Sequence, residues 1–498
     1  MNEERINHLE ENLSTEHEIR VDKTNIMRKQ GIEPWPYKRD VKNTAKQVLG
    51  EFSENSDKEY SIAGRVVALR WHGKTAFAQI LDRTDKIQIY IRLDILGEEK
   101  FKQLQHLLDL GDIVWVQGST FMTKTGEVTV KANDLVIISK CLHPLPEKFH
   151  GLTHVEARYR QRYLDLISNP ESAARFKTRS KITSIIRHYL EKHDFIEVET
   201  PMLHPIPGGA TAKPFSTHHN ALDMELFLRI APELYLKRLV IGGFERVFEI
   251  NRSFRNEGVS TKHNPEFTML EFYMAHEDYK FSMDFVEDLL KTIIHKISDS
   301  LLLQYGDKTL DFSKPFKRMT VKQSVIEVGG FREEDLQEGA IDKIIEKHNV
   351  KVVRKNASLG EKIFAMFEHF VEEKLIQPTF ITDFPIEVSP LAKRLPDNPN
   401  LAARFELFMV SMEIANSFNE LNDPFDQAER FKEQAASHKD GDDEAHRFDA
   451  DYIKALEYGL PPTVGTGIGI DRLTMLLTNT TTIKDVILFP TLKKEHKE

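Results

Sequence analysis

The apolar positions of the first 60 residues change from a helical to a strand-like pattern. Residues 1–57 are polar and charged, and Ile6, Leu9 and Leu13 recur at helical spacing before the segment GIEPWPY ends that pattern. This part of the chain is predicted to be an exposed helical extension.

Five short runs of β-type residues follow from Tyr60. They read SIAGRVVALR, TAFAQILD, KIQIYIRL, DIVWVQGSTFM and EVTVKANDLVIIS, and the helical stretch EEKFKQLQHLLDL separates the third from the fourth. Lys124-Thr125-Gly126 predicts a hairpin between the last two runs. Five strands with one helix before the fourth are typical of an OB-fold barrel, which commonly binds single-stranded nucleic acid. From this pattern alone, a small β-barrel used as scaffolding is the alternative.

The segment CLHPLPEKFHGL, with two prolines and a glycine, is predicted to link this barrel to a second domain. Beyond it, the pattern predicts amphipathic helices such as residues 281–303, in which Phe285, Leu289, Ile293 and Ile297 recur every four residues. Such helices are expected to cover a sheet.

Two strand-like segments joined by a charged loop carry the candidate chemistry. In the first, alternation puts one polar set on a single face: Glu249, Asn251, Ser253 and Arg255. In the second, the same period of two aligns an aromatic residue, a thioether, a carboxylate and a phenol: Phe267, Met269, Glu271 and Tyr273. Such a row favours a ligand-facing surface, and an amphipathic hairpin with solvated charges is the alternative.

Composition narrows the class of protein. The 68 basic and 78 acidic residues give a net charge of -10, which argues against a general polyanion binder, although residues 61–80 carry Arg65, Arg70 and Lys74 without a carboxylate. One cysteine excludes an intramolecular disulfide and a cysteine-rich zinc site. We expect no membrane segment and no secretory signal, and therefore a cytoplasmic protein.

Several motifs in the order of one family make the prediction specific. FRNEG with HNPEFTMLEFY resembles motif 2 of class II aminoacyl-tRNA synthetases, GTGIGIDRL resembles motif 3, and FIEVETP with the preceding helix resembles motif 1. Together with IPGGATAKPF, APELYLKRL and FNELNDP, the pattern is similar to that of class II lysyl-tRNA synthetases from about Tyr60 to Pro490.

The resemblance implies roles for residues at an ATP site. Arg255 would bridge the ATP α-phosphate and the lysine carboxylate, Phe267 and Arg472 would sandwich the adenine, and both arginines would be catalytic. The complete ATP-binding set implied is Arg255, Glu257, His263, Asn264, Phe267, Glu406 and Arg472. Magnesium, which prefers oxygen ligands, would be held by Glu406 and Glu413.

The resemblance also implies a site for the amino acid and one for the anticodon. The lysine-binding set implied is Gly208, Glu233, Arg255, Glu271, Tyr273, Asn416 and Glu420. Anticodon contacts would come from Arg70, Phe77, Gln88 and Glu127.

The strand register of the hairpin that carries part of the amino-acid site cannot be assigned from the sequence alone. If residues 404–410 and 413–421 paired around a turn at Ser411-Met412, Glu406 and Glu413 would share one face, but Asn416 and Glu420 would lie on the other. A bulge or a different register must therefore intervene. This segment also departs from the glycine-rich pattern of many bacterial lysyl-tRNA synthetases, at Val410, Ser411, Met412, Ala415 and Ser417.

The sequence thus predicts an α+β protein with three parts: a helical extension over residues 1–57, a five-stranded OB-fold anticodon-binding barrel over 58–145, and a class II catalytic domain over 146–498, with an antiparallel sheet flanked by helices. The resemblance implies a homodimeric lysine--tRNA ligase that uses ATP, L-lysine, Mg2+ and tRNA(Lys). The alternatives are an aspartyl- or asparaginyl-type synthetase, a non-catalytic relative that binds tRNA or another protein, and an enzyme that lysylates a translation factor.

Overall fold

The computed structural model describes residues 3–54, 57–146, 155–352, 356–439 and 448–494. The chain forms two compact units, Met1–Thr153 and His154–Glu498. The second half of the predicted linker segment, residues 147–152, lies outside the described residues. None of the described helices is both long and apolar enough to cross a membrane.

The first unit is built around a closed five-stranded barrel in the order β1-β2-β3-β5-β4, which confirms the OB-fold prediction. Alternate residues such as Ile87, Ile89 and Ile91 point into its core because successive strand side chains face opposite sides. The strands are β1 (Glu59–His72), β2 (Thr75–Leu81), β3 (Lys86–Arg92), β4 (Ile113–Met122) and β5 (Val128–Ser139).

The helices of this unit pack on the barrel. The predicted N-terminal helix is present, but its expected exposure is wrong for one face of its second half. Arg20, Thr24 and Met27 are buried there, and the Arg20 guanidinium donates to the carbonyl oxygens of Leu110 and Cys141. The helices are α1 (Glu3–Lys29), α2 (Ala45–Gly50), α3 (Leu93–Leu96) and α4 (Glu98–Leu107), the last being the helix predicted before the fourth strand.

The second unit has an eight-stranded sheet in the order β14-β15-β16-β17-β18-β11-β10-β6. All neighbours are antiparallel except the two outermost pairs, β14 with β15 and β10 with β6. Its strands are β6 (Ile196–Glu197), β10 (Arg246–Phe254), β11 (Glu266–Ala275), β14 (Lys317–Thr320), β15 (Thr379–Pro385), β16 (Leu401–Met409), β17 (Met412–Asn419) and β18 (Thr463–Gly469).

The second unit also contains two small sheets. The three-stranded sheet has the order β7-β9-β8, and β12 pairs with β13. These strands are β7 (Leu203–His204), β8 (Ser216–His219), β9 (Met224–Leu228), β12 (Leu302–Tyr305) and β13 (Lys308–Asp311).

Helices cover the large sheet and form its main core, as the apolar periodicity predicts. Phe285, Leu289 and Ile293 are buried against it. The helix predicted over 281–303 is too long: it ends at Ile297, and the chain turns into β12. The helices are α5 (Val155–Arg160), α6 (Arg162–Ser168), α7 (Pro170–Lys192), α8 (Glu233–Ile241), α9 (Tyr279–Ile297), α10 (Val321–Glu327), α11 (Ala340–His348), α12 (Leu359–Phe370), α13 (Pro424–Lys439), α14 (Ala450–Glu457) and α15 (Ile470–Leu477).

Candidate functional site

A cavity of about 420 Å3 opens over the central strands of the large sheet. Strands β11, β16, β17 and β18, helix α8 and the loop between β10 and β11 contribute to its wall. It brings together nearly all the residues predicted for ATP, lysine and metal: Glu233, Arg255, Glu257, His263, Asn264, Phe267, Glu271, Tyr273, Glu406, Glu413, Asn416, Glu420 and Arg472. Gly208 is not among the lining residues, whereas its neighbour Gly209 is.

The paired strands β10 and β11 are the two segments that the alternating pattern singled out. Phe267, Met269, Glu271 and Tyr273 all line the cavity, while Leu270 and Phe272 belong to the core on the other side. The ligand-facing prediction is therefore favoured over a hairpin with solvated charges.

The hairpin of β16 and β17 combines both solutions that the sequence left open. Its turn lies at Val410-Ser411, where both residues have positive φ, and not at Ser411-Met412. Phe408 then pairs with Glu413 but Leu407 pairs with Ala415, so one extra residue, Ile414, forms a bulge. The bulge reverses the alternation and puts Asn416 and Glu420 on the cavity side together with Glu413.

Two arginines stand at one end of the cavity. The Arg255 guanidinium lies 5.1 Å from the centroid of the Phe267 ring, and its buried Nε has no hydrogen-bond partner. Arg472, in the first turn of α15, donates from Nη1 to the Glu413 backbone oxygen at 2.8 Å. A cation with an unpaired buried donor is suited to an anionic ligand.

His263 is held as a neutral ring beside Arg472. Arg472 Nη2 lies 3.0 Å from His263 Nε2, and because a guanidinium can only donate, Nε2 accepts. Nδ1 then carries the proton and donates to Ser260 Oγ at 2.9 Å. Burial, and next the charge of Arg472, lower the pKa of His263. The ring is therefore a hydrogen-bonding group and not a cation.

The other end of the cavity is acidic. Glu233, Glu271 and Glu420 are all buried there, and the Tyr273 hydroxyl donates to Glu271 Oε2 at 3.2 Å. Neither oxygen of Glu420 has a hydrogen-bond partner, although its carboxylate forms an ion pair with Lys237. Burial raises the pKa of both Glu233 and Glu420. Several buried carboxylates with unpaired oxygens are costly unless a cation binds beside them, so this end of the cavity favours a cationic ligand.

The Glu271 carboxyl should make the stability of the ligand-free protein pH-dependent. Burial, and next the charge of Glu233, raise the pKa of Glu271 from 4.5 to about 8. The folded state thus keeps a proton that the unfolded state releases, so this contribution is complete below pH 4.5 and is lost as the pH rises through about 8. We expect the thermal midpoint of the wild type to fall relative to that of Glu271→Gln over this range, in differential scanning calorimetry. A constant difference between the two proteins would contradict this.

A basic side chain links the acidic site to the predicted metal ligands. The Arg404 Nε donates to Asn416 Oδ1 at 3.1 Å, and its Nη2 binds the Glu406 carboxylate. Burial raises the pKa of Glu406, the Arg404 charge opposes this, and Glu413 and Glu372 reinforce it. Arg404 thus positions groups of both predicted subsites.

Three features of the site were not predicted from the sequence. Arg404 is one and the buried Lys237 is another. The third is Gly465 on β18, where a Cβ atom would collide with Glu420 Oε1 and with the Tyr273 ring. Only glycine allows that close approach. The glycines of GTGIGIDRL were a signal for Gly465, but a basic residue in a helical pattern carries no local sign of burial.

The four predicted anticodon residues lie on one face of the barrel. Arg70 pairs across the strands with Phe77, whose ring stacks on Tyr90 with centroids 4.6 Å apart. Gln88 lies two residues before Tyr90, and its Nε2 donates to Glu127 Oε2 at 2.8 Å. An aromatic ring beside hydrogen-bonding side chains is the arrangement that single-stranded RNA readers use.

Comparisons with known proteins agree with this architecture. Residues 154–493 match the family described as tRNA synthetases class II (D, K and N), and residues 60–138 match the OB-fold nucleic acid binding domain. A lysine--tRNA ligase of Syntrophomonas wolfei is 51% identical over 98% of this chain and 99% of its own length. The corresponding values are 52%, 95% and 97% for that of Carboxydothermus hydrogenoformans, and 52%, 91% and 89% for that of Wolinella succinogenes. With its two matched domains and this identity along nearly its whole length, the chain belongs to the lysine--tRNA ligase family of class II tRNA synthetases.

Proposed function

We propose that this chain is a lysine--tRNA ligase, an enzyme that activates L-lysine with ATP and transfers it to the 3′ end of tRNA(Lys), with release of pyrophosphate and AMP. The single observation that carries this proposal is one cavity whose lining combines the guanidinium groups of Arg255 and Arg472 with the buried carboxylates of Glu233, Glu271 and Glu420. A triphosphate and a diamino acid need those opposite environments side by side.

In the first step, an oxygen of the lysine carboxylate attacks the α-phosphorus of ATP and pyrophosphate leaves. Two anions must approach each other while charge builds up on phosphoryl oxygens, so positioning and cationic stabilisation supply most of the catalysis. Arg255, whose Nε has no hydrogen-bond partner, suits this role, since a guanidinium can bind carboxylate and phosphate in parallel. Phe267 and Arg472 offer flat groups for the adenine, and Glu257, His263 and Asn264 offer polar ones.

Lysine is selected at the acidic end. Its ε-ammonium would contact Glu271, Tyr273 and Glu420. Its α-amino group would contact Glu233 and the backbone at Gly208, next to the cavity-lining Gly209. A neutral or acidic side chain would leave buried carboxylates unpaired, which penalises aspartate and asparagine. The acidic pocket therefore favours lysine over the substrates of the two related synthetases that share both domains.

Magnesium fits the donor set at Glu406 and Glu413. Both carboxylates line the cavity; burial raises the pKa of Glu406, and the negative charges of Glu413 and Glu372 raise it further against the opposing charge of Arg404. Within the described ranges no group of three histidine, cysteine, aspartate or glutamate residues is placed to hold a metal ion. When bound there, Mg2+ would neutralise charge on the ATP phosphates.

In the second step, the 3′-hydroxyl of the terminal adenosine attacks the lysyl carbonyl carbon and AMP leaves. The barrel recognises the anticodon through Arg70, Phe77, Gln88 and Glu127.

We further propose the three-part division at residues 57 and 145, a homodimer formed through the motif 1 region around α7 and β6, and a cytoplasmic location.

The barrel assignment predicts that Phe77→Ala raises the KM for tRNA about tenfold, because one base loses a stacking partner worth ~1–3 kcal/mol. Lysine-dependent pyrophosphate exchange, which needs no tRNA, should stay unchanged. Tyr37→Ala is the control, since that ring is 98% exposed outside the barrel strands. Unchanged charging kinetics in Phe77→Ala would contradict the assignment, and parallel losses in exchange and charging would indicate misfolding.

The decisive test is pyrophosphate exchange and charging with the intact purified chain. We expect exchange with lysine and none with aspartate or asparagine, followed by charging of lysine tRNA. Exchange with aspartate or asparagine would favour a related synthetase. Failure to consume ATP with any of the three would favour a non-catalytic binding protein, and exchange without charging would favour lysylation of another acceptor.

A further inference from the structure

Lys237 is a buried cation that the reaction described above does not use. It lies on α8 one turn after Glu233 and is completely buried. Its Nζ is 2.5 Å from Glu233 Oε1 and forms an ion pair with Glu420 Oε2. One ammonium group therefore joins two carboxylates from different elements, since Glu420 follows β17 on the sheet.

Lys237 contacts these carboxylates from behind the cavity. Glu233 and Glu420 line the cavity and Lys237 does not. Its ammonium also lies over the Phe418 ring, 5.6 Å from the centroid, and this cation–π contact further stabilises the positive charge. The sides of the two carboxylates that face the cavity thus remain open to a ligand.

The charges of this cluster balance with a ligand that carries two ammonium groups. Three ionised carboxylates, Glu233, Glu271 and Glu420, and one lysine would leave two negative charges in a buried site. A buried uncompensated charge is costly, and carboxylates in such a site take up protons instead. Two ammonium groups from a ligand would complete the balance.

We propose that Lys237 is a positioning residue that ties Glu233 to Glu420 from behind, favours the ionised form of their carboxylates against the effect of burial, and thereby fixes the distance between the two ammonium-binding ends of the lysine site. This inference rests on the proposed function, because it assigns the two ends to the α-amino and ε-ammonium groups of one substrate. It adds a residue that selects diamino acids by length.

Other charged and titratable groups act on the same carboxylates from each neighbouring element. They are Arg404 on β16, Glu271 and Tyr273 on β11, Arg229 and Glu249 acting on Glu271, and Tyr452 on α14. Lys237 differs from these groups because it forms ion pairs with both Glu233 and Glu420. Removal of its charge should therefore leave a proton on this pair at neutral pH.

The test is the KM for lysine in Lys237→Met, measured by pyrophosphate exchange with the full-length protein from about pH 6.5 to about pH 9. We expect a KM about tenfold or more above the wild-type value at neutral pH, and a smaller difference at high pH where the carboxylates ionise, since each pKa unit changes the ionised fraction tenfold. The KM for ATP should stay within about twofold. Inhibition by ornithine, one methylene shorter, should strengthen relative to lysine binding.

Two further variants separate positioning from folding. Lys237→Arg keeps the charge and should restore much of the lysine affinity, and Arg238→Met removes the adjacent cation, which pairs with Asp449 and Asp451 away from the cavity, and should leave the KM for lysine unchanged. Lys237→Gln carries the same expectation as Lys237→Met if the latter does not fold. If neither folds while Lys237→Arg does, Lys237 is structural and the proposal is wrong.

Unchanged lysine kinetics in a folded Lys237→Met or Lys237→Gln protein would overturn the inference alone. So would a parallel, pH-independent rise in the KM values for lysine and ATP. Absence of lysine-dependent exchange in the wild type would instead overturn the proposed function, and the inference with it.

Discussion

Replacing Arg255 with lysine is expected to lower kcat/KM for lysine-dependent pyrophosphate exchange by about 100-fold to 1,000-fold. Lysine keeps the positive charge but lacks the planar fork that can bind a phosphate and a carboxylate together. The backbone N of Arg255 donates to the Pro265 oxygen at 2.9 Å, so the residue is anchored whatever its side chain. Loss of the fork should therefore appear in catalysis and not in folding.

Arg252→Lys is the matched control for this change. Arg252 lies on the same strand, β10, but it does not line the cavity and pairs with Glu266 at 3.5 Å. It should retain the wild-type rate. If Arg255→Lys exchanged pyrophosphate within about threefold of the wild type, bidentate binding by Arg255 would contribute little to the reaction.

Replacing Glu420 with glutamine is expected to raise the KM for lysine about 100-fold with little change in the KM for ATP. Glu420 is 1% exposed, and its Oε2 pairs with Lys237 while its Oε1 has no hydrogen-bond partner, so Oε1 is available to an ammonium group in a buried site. Removal of one member of a buried, hydrogen-bonded charge pair typically costs ~2–5 kcal/mol in binding. Steady-state exchange kinetics with each substrate varied in turn would measure the two KM values.

Glu266→Gln is the corresponding control, because Glu266 begins β11, pairs with Arg252 and does not line the cavity. Its kinetics should match the wild type. Equal increases in both KM values for Glu420→Gln would show that the change disturbs the whole cavity and would contradict a specific role in lysine binding. The thermal midpoint of Glu420→Gln, compared with that of Glu266→Gln, would reveal any loss of stability from breaking the ion pair between Lys237 and Glu420.

Local patterns predicted the five barrel strands of the first unit and a few elements of the second, among them β10, β11 and α9, since strand alternation and helical periodicity depend on neighbours along the chain. The five barrel strands and the row from Phe267 to Tyr273 follow from a period of two alone. The errors lie where tertiary packing decides the outcome: one face of the second half of α1 is buried because the barrel unit offers partners to Arg20 and Met27, and α9 ends earlier than its apolar residues suggest. Neither outcome is visible in a local window of sequence.

The sequence by itself determined the family, the order of the motifs and the side chains that could bind ATP and lysine, because those depend on residue type and spacing. Only the tertiary structure decided the bulge at Ile414, which brings Asn416 and Glu420 to the side of Glu413. It alone revealed Lys237 behind Glu233 and Glu420, and the clearance that Gly465 provides. The physical reason is that strand register, burial of charge and close approach depend on residues distant in the chain, whose energies no local pattern contains.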